Sequence, residues 1–151
     1  LVHDNLSVIG GVAYSAEEKE FADKIALTLG QTKADLDRAV NIQPYKETAR
    51  AYGSTDVGDV SFVVPTVGFG TATWVPGTSA HSWQAVAAGG TSIGKKGMMV
   101  AAKTLTATVI DLFNNQQLIV KAKAEFKNRR GANFIYKPLL GNRPPALNYR
   151  K

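Results

Sequence analysis

The strongest periodic pattern of apolar and polar positions begins at Ser15. Ser15-Ala16-Glu17-Glu18 is a capping box, in which the Ser hydroxyl accepts from the Glu18 amide and the Glu18 side chain reaches back. Phe21, Ile25 and Leu29 then recur on one helical face with Ala22 and Ala26 beside them, and Gly30 is a natural stop. This spacing predicts a helix over Ala16–Leu29. Residues 31–52 are polar and interrupted by Pro44, compatible with a short helix near Ala34–Val40 and another turn around Lys46–Ala51. From Val67 to Val75 the pattern changes to alternation in β-branched and aromatic residues, which predicts a strand. Gly68 and Gly70 share one face of it, so either another element packs closely there or the strand is locally weak. Pro76-Gly77 ends the segment and delivers the following loop, with His81, to a sheet edge, where sites collect in open α/β sheets.

Gly89-Gly90 breaks the chain again, and Thr91 or Ser92 can cap a long helix running to Phe113. Its expected inward stripe is Met98, Ala101, Ala102, Leu105, Val109, Leu112 and Phe113. Asn114-Asn115 interrupts it. A further helix places Leu118, Ile119, Ala122 and Phe126 inward and Lys121, Lys123 and Lys127 outward, with Gly131 as its stop. The tail 136–151 holds three of the chain's six prolines and reads as extended and irregular. The fold class expected from these elements is α/β, with helices packed on a small mixed sheet.

A chain of 151 residues suffices for one domain with a real core. No apolar run approaches the ~20 residues of a bilayer-spanning helix. The N-terminal Leu1-Val2-His3-Asp4-Asn5 has no basic or apolar signal region, and the missing initiator Met suggests a processed chain or an excised fragment. The absence of Cys removes disulfide and thiolate chemistry and fits a cytoplasmic protein. The formal charge of +6 is concentrated late, in Lys121, Lys123, Lys127, Arg129, Arg130, Lys137, Arg143, Arg150 and Lys151. With no recognition-helix, RNP or zinc-finger motif beside them, these cations read as a solvated helix face and tail rather than a nucleic-acid surface.

Candidate chemistry centres on His81, presented shortly after the Pro-Gly turn, because neutral imidazole is a favoured zinc ligand. A catalytic zinc takes about three protein ligands. The chain has two His and no Cys, so it carries part of a site and not the whole of one. The segment Gly53–Ser61 is either a Gly-rich anion cradle or, as its Ser, Thr and Asp favour, a turn with Asp-rich capping. Ser92-Ile93-Gly94-Lys95-Lys96-Gly97 has the wrong spacing for a phosphate loop and is better explained as a loop-to-helix junction. No G-x-S-x-G signature supports a triad of Ser54 or Ser82 with His81.

Taken together, Val8-Ile9-Gly10-Gly11-Val12 running into Tyr14–Lys19, Gly53–Ser61, Val64-Pro65-Thr66, Ala72-Thr73-Trp74, Pro76-Gly77-Thr78, His81-Ser82-Trp83-Gln84 and Ser92–Met98 resemble the p-aminobenzoyl-glutamate-hydrolysing branch of the dinuclear zinc aminoacylase/carboxypeptidase superfamily of metallopeptidases. The resemblance implies an α/β catalytic domain interrupted by a lid or dimerisation domain. Residues 1–14 would be the return segment from that lid and 15–151 the C-terminal half of the catalytic domain. It implies that His81 is the C-terminal zinc ligand and that Ser54, Thr55 and Asp56 form a substrate-binding loop. The His-x-Asp ligand pair, the bridging ligand and the general-base Glu would lie in the N-terminal half, so no catalytic residue is expected in this fragment. Lys95 stands where His is expected in close relatives.

The implied activity is metal-assisted hydrolysis of p-aminobenzoyl-glutamate, or a related N-acyl amino acid, with two zinc ions (or manganese) that the fragment alone does not retain. The implied setting is cytoplasmic, with an A-type hydrolase subunit and homo-oligomer contacts as partners, and neither nucleic acid nor membrane. Two other readings stay open, a non-catalytic assembly protein and a basic nucleic-acid-binding domain. An upstream His-x-Asp and Glu-Glu in the same reading frame would argue against the first, and a steep salt-dependent gel shift would support the second. A half-domain would expose apolar faces, with Val63, Val64, Phe69, Trp74 and Trp83 near the junction.

Overall fold

The computed structural model describes residues 1–47 and 55–148. Its regular structure, among the described residues, is helical: α1 (Val2–Ile9), α2 (Ala16–Thr28), α3 (Asp37–Val40), α4 (Val57–Ser61), α5 (Trp83–Gly89), α6 (Ser92–Asn114) and α7 (Gln116–Arg130). The chain divides into two compact units, one formed by residues 1–50 and 67–115, the other by 51–66 and 116–151.

The expected mixed sheet is not found: none of the described residues forms a strand. Residues 67–73 carry no regular structure, although their residue types alternate as a strand's do. Alternation specifies an extended backbone, but a strand exists only when a second one supplies the ladder of N–H and C=O partners. No such partner occurs among the described residues. Gly68 and Gly70 also lie in open space, so no element packs closely on them. The close approach is instead at Gly97 of α6, where an added Cβ would fall 2.2 Å from the Ala72 carbonyl oxygen.

In the first unit, Ala22, Ile25 and Ala26 of α2, Ala34, Val75, Ala88 of α5 and Ile93 of α6 form the core, with Tyr14, Phe21, Leu29, Leu36 and Ala87 packed around it. The capping box forms as expected: Ser15 Oγ accepts from the Glu18 amide at 3.3 Å and Glu18 Oε2 accepts from the Ser15 amide at 2.7 Å. Gly30 takes φ 75 directly after the C-cap Leu29, a conformation that suits glycine. Gly94 and Gly11 permit two further close approaches, to the Gly89 and Val40 carbonyl oxygens.

α6 has the expected length and is capped by Thr91, whose hydroxyl accepts from the Ile93 amide. The expected inward stripe is largely wrong, with Ala101 and Leu112 alone of its members half-buried. Ile93, Gly94, Gly97, Thr104 and Thr108 are the buried residues, whereas Met98, Leu105, Val109 and Phe113 are exposed. Two physical facts explain the inversion. Glycines let backbones approach within distances that Leu or Met would forbid. The buried threonines satisfy their own hydroxyls, Thr104 donating to the Val100 carbonyl and Thr108 to the Thr104 carbonyl, both at 2.8 Å. α1, which is not among the elements expected from the sequence, packs on α6. Its Val2, Leu6 and Ile9 repeat at helical spacing and are half-buried.

In the second unit α7 keeps Leu118, Ile119, Ala122 and Phe126 half-buried and Lys121, Lys123 and Lys127 exposed, as expected. Gly131, at φ 87, follows its end. Arg130 lies over the rings of Phe126 and Phe134 and donates to the Phe62 carbonyl, and Phe62 stacks on Phe134 and Tyr136. Residues 136–148 contain no helix or strand, matching the irregular tail. The turn expected around Lys46–Ala51 falls largely outside the described residues.

Candidate functional site

His81 is positioned by elements on both sides of it. Upstream, Val75 is buried in the core and its carbonyl accepts from the Thr78 amide across a turn in which Gly77 takes φ 91. Downstream, Ser82 is the N-cap of α5: its hydroxyl accepts from the Ala85 amide and donates to the Ser79 carbonyl. Ala85 and Ala88 then anchor α5 by burial. Between these supports His81 is exposed and has φ 61, the left-handed region. It is the one non-glycine residue with positive φ among those described. Such a conformation costs about 1–3 kcal/mol and persists only where the surroundings impose it.

Those of the other expected site residues that are described belong to a different compact unit. Ser54 lies outside the described residues. Thr55 and Asp56 are exposed and belong to the second unit, while His81 belongs to the first. Thr55 Oγ1 accepts from the Val57 amide at 3.3 Å, and Asp56 is the N-cap position of α4 without a side-chain capping bond. The side-chain contact found here is thus a local turn contact at Thr55, and the expected Asp capping bond is not formed at Asp56. Asp59, three residues on, accepts from the Tyr136 hydroxyl, which raises the Tyr136 pKa.

No group of three His, Cys, Asp or Glu side chains able to hold a metal exists among the described residues. Among the described residues, the His81 imidazole is thus a single possible donor, short of the roughly three protein ligands of a catalytic zinc. Lys95 is exposed on the first turn of α6 and lines a shallow cleft of about 360 Å³ with Val12, Ser92, Met99 and Lys103. No helix among the described residues is long and apolar enough to cross a membrane.

The best-connected charged group is one whose sequence context points only to a helix cap. Glu18 is buried, and Lys96 Nζ donates to its Oε2 at 2.6 Å and to the Ala13 carbonyl at 2.7 Å. Hydrogen bonds from Lys96 and then from Ser92 hold the Glu18 pKa down to about 2, outweighing the opposing effect of burial. Burial and the Glu18 charge together raise the Tyr14 pKa. This pair ties the start of α2 to the start of α6, so the Lys-Lys sequence is structural on one of its two members. A lysine one turn into a helix gives no sequence signal of a partner 78 residues away.

No family model matches the chain, and no solved structure matches it. It is similar to the B subunit of p-aminobenzoyl-glutamate hydrolase from Escherichia coli (strain K12), with 30% identity over an alignment of 171 positions. That alignment takes in 96% of this chain but 35% of the relative, so the chain spans about a third of the relative's length. The resemblance read from its motifs is thus met along nearly the whole chain, which is similar to one part of that hydrolase polypeptide.

Proposed function

We propose that this chain is the C-terminal part of a zinc-dependent amidohydrolase that cleaves p-aminobenzoyl-glutamate, or a related N-acyl amino acid, to p-aminobenzoate and glutamate. The observation that carries the reading is the similarity to a hydrolase polypeptide across 96% of the chain. The exposed, left-handed His81 supports it locally, because strain at a polar, solvent-facing residue is characteristic of functional positions. On this reading residues 1–14 return from a separate domain and 15–151 complete the catalytic one, in a cytoplasmic enzyme that works with an A-type subunit.

His81 supplies one nitrogen to the metal centre, with the remaining ligands and the general base drawn from outside this chain. Zinc, when bound, activates water for attack on an amide carbonyl. The cap at Ser82 and the buried Ala85 and Ala88 fix the backbone on the C-terminal side of His81, which carries the imidazole. Ser54, Thr55 and Asp56 orient the substrate in the assembled enzyme. On this reading the 151-residue chain alone is inactive, since among the described residues no three His, Cys, Asp or Glu side chains come together to hold a metal.

The test is His81→Ala in the full-length protein. Metal content and glutamate release should fall together, because one ligand is removed. Full activity at unchanged zinc stoichiometry would take His81 out of the site. Zinc-dependent glutamate release by the 151-residue chain alone would overturn the fragment reading.

A further inference from the structure

α6 is amphipathic in an inverted sense. After Ile93 the face it buries is built from glycine and threonine, while from Met98 to Phe113 an apolar stripe is exposed, flanked by exposed Lys95, Lys103 and Thr106. Met98, Leu105, Val109 and Phe113 are 56%, 53%, 48% and 87% exposed. With exposed Ala102 they recur at intervals of three and four, which places them on one face. At 1.5 Å per residue the stripe is about 22 Å long. None of its members is charged. A helix face that finally meets water is normally polar, and a stripe of this kind is buried against another layer.

We propose that this stripe is the seat on which the rest of the longer hydrolase polypeptide packs, through an apolar, uncharged face of that polypeptide. The inference rests on the reading of the chain as part of a larger enzyme. Two observations select this occupant. The match covers 35% of the relative, so most of that protein's length lies outside it and can supply the missing layer. A second copy of this chain is the weaker choice: a strip about 22 Å by roughly 10 Å offers roughly 220 Å², against about 800 Å² per partner in a stable interface. Inside a domain no such minimum applies, because the same layer is held by covalent continuity and by other contacts. The lack of charge also argues against an acidic or nucleic-acid partner, which would be met by Lys or Arg.

The chain contains no Cys, which makes a single introduced thiol a clean reporter. Leu105→Cys is placed in the full-length protein and its modification by a small thiol reagent is followed by peptide mass spectrometry, in native buffer and in urea. A buried site should react at least about tenfold more slowly in the native protein. Equal rates in the two conditions, in a protein that still hydrolyses aminobenzoyl-glutamate, would overturn this inference while leaving the proposed function intact. Protection that weakens on dilution would assign the stripe to a second copy and also overturn it. A natural gene product of only 16.2 kDa would remove the larger enzyme and the inference together. Val109→Cys, read in the same way, serves if Leu105→Cys fails to fold.

Discussion

Replacing Lys96 with Met should weaken the fold by an amount that depends on pH. The Met side chain keeps much of the apolar stem and removes the ammonium that donates to Glu18 at 2.6 Å and to the Ala13 carbonyl at 2.7 Å. Glu18 then stays buried with its Ser15 and Ser92 hydrogen bonds but no cation, and a buried carboxylate that loses its charged partner is costly. The Glu18 pKa is held at about 2, against an ordinary value of 4.5. At ~1.4 kcal/mol per pH unit this sets a ceiling of about 3 kcal/mol on everything that favours the ionised form. Lys96 is 37% exposed, and water screens its end of the pair. The expected loss is therefore about 1–2 kcal/mol at neutral pH. The sign follows from the depressed pKa: the stabilisation is whole above 4.5 and disappears as pH falls toward 2. Urea unfolding of the native and Lys96→Met chains at pH 7, 4.5 and 2.5 should give a gap that narrows with acidity. A gap that is constant or widens at low pH would refute the assignment of Glu18 as the ionised partner.

Gly97→Ala should cost about 1–3 kcal/mol, since the new methyl meets the Ala72 carbonyl oxygen at 2.2 Å and must push the 71–75 segment away. Gly68→Ala meets nothing and should be neutral or stabilising by about 0.4–1 kcal/mol; chemical denaturation of the two variants distinguishes them. His81→Gly should raise stability by about 1 kcal/mol by relieving the left-handed strain, while lowering zinc content and activity in the full-length enzyme. Stability and activity moving the same way would contradict the separation of roles. Ser15→Ala should cost about 1 kcal/mol through loss of the α2 cap, read as a lower thermal midpoint.

Local chemistry carries well from sequence to structure, and partner-dependent structure does not. The α2 capping box, the Thr91 cap and the glycine stops at Gly30 and Gly131 depend on neighbours within a few residues, and each is found where the pattern puts it. The strand at Val67–Val75 depends on a second strand, which alternation cannot supply, and it is not formed. The orientation of α6 is opposite to the one its apolar stripe predicts, because hydrophobicity does not set it. Its buried face is set by close approach at Gly94 and Gly97 and by threonines that satisfy themselves. The expected exposure at Val63, Val64, Trp74 and Trp83 is present, and Phe69 is half-buried. For the candidate site, the Pro-Gly turn and the Ser82 cap make the presentation of His81 readable, but not its φ. Nothing in the local sequence relates Thr55 and Asp56, in one unit, to His81, in the other.

The threonine face of α6 has a mechanical corollary. Because Thr104 and Thr108 donate their hydroxyl protons to their own helix, they have no donor left for α1, and a face of this kind fixes the position of a neighbouring helix only where that helix brings its own donor. Among the described residues, the side-chain hydrogen bonds that join the two helices both come from Asn5, whose Nδ2 donates to Thr108 Oγ1 at 3.2 Å and to Asp111 Oδ2 at 2.8 Å. Asn5 therefore acts as a dowel, fixing the axial position of α1 on α6.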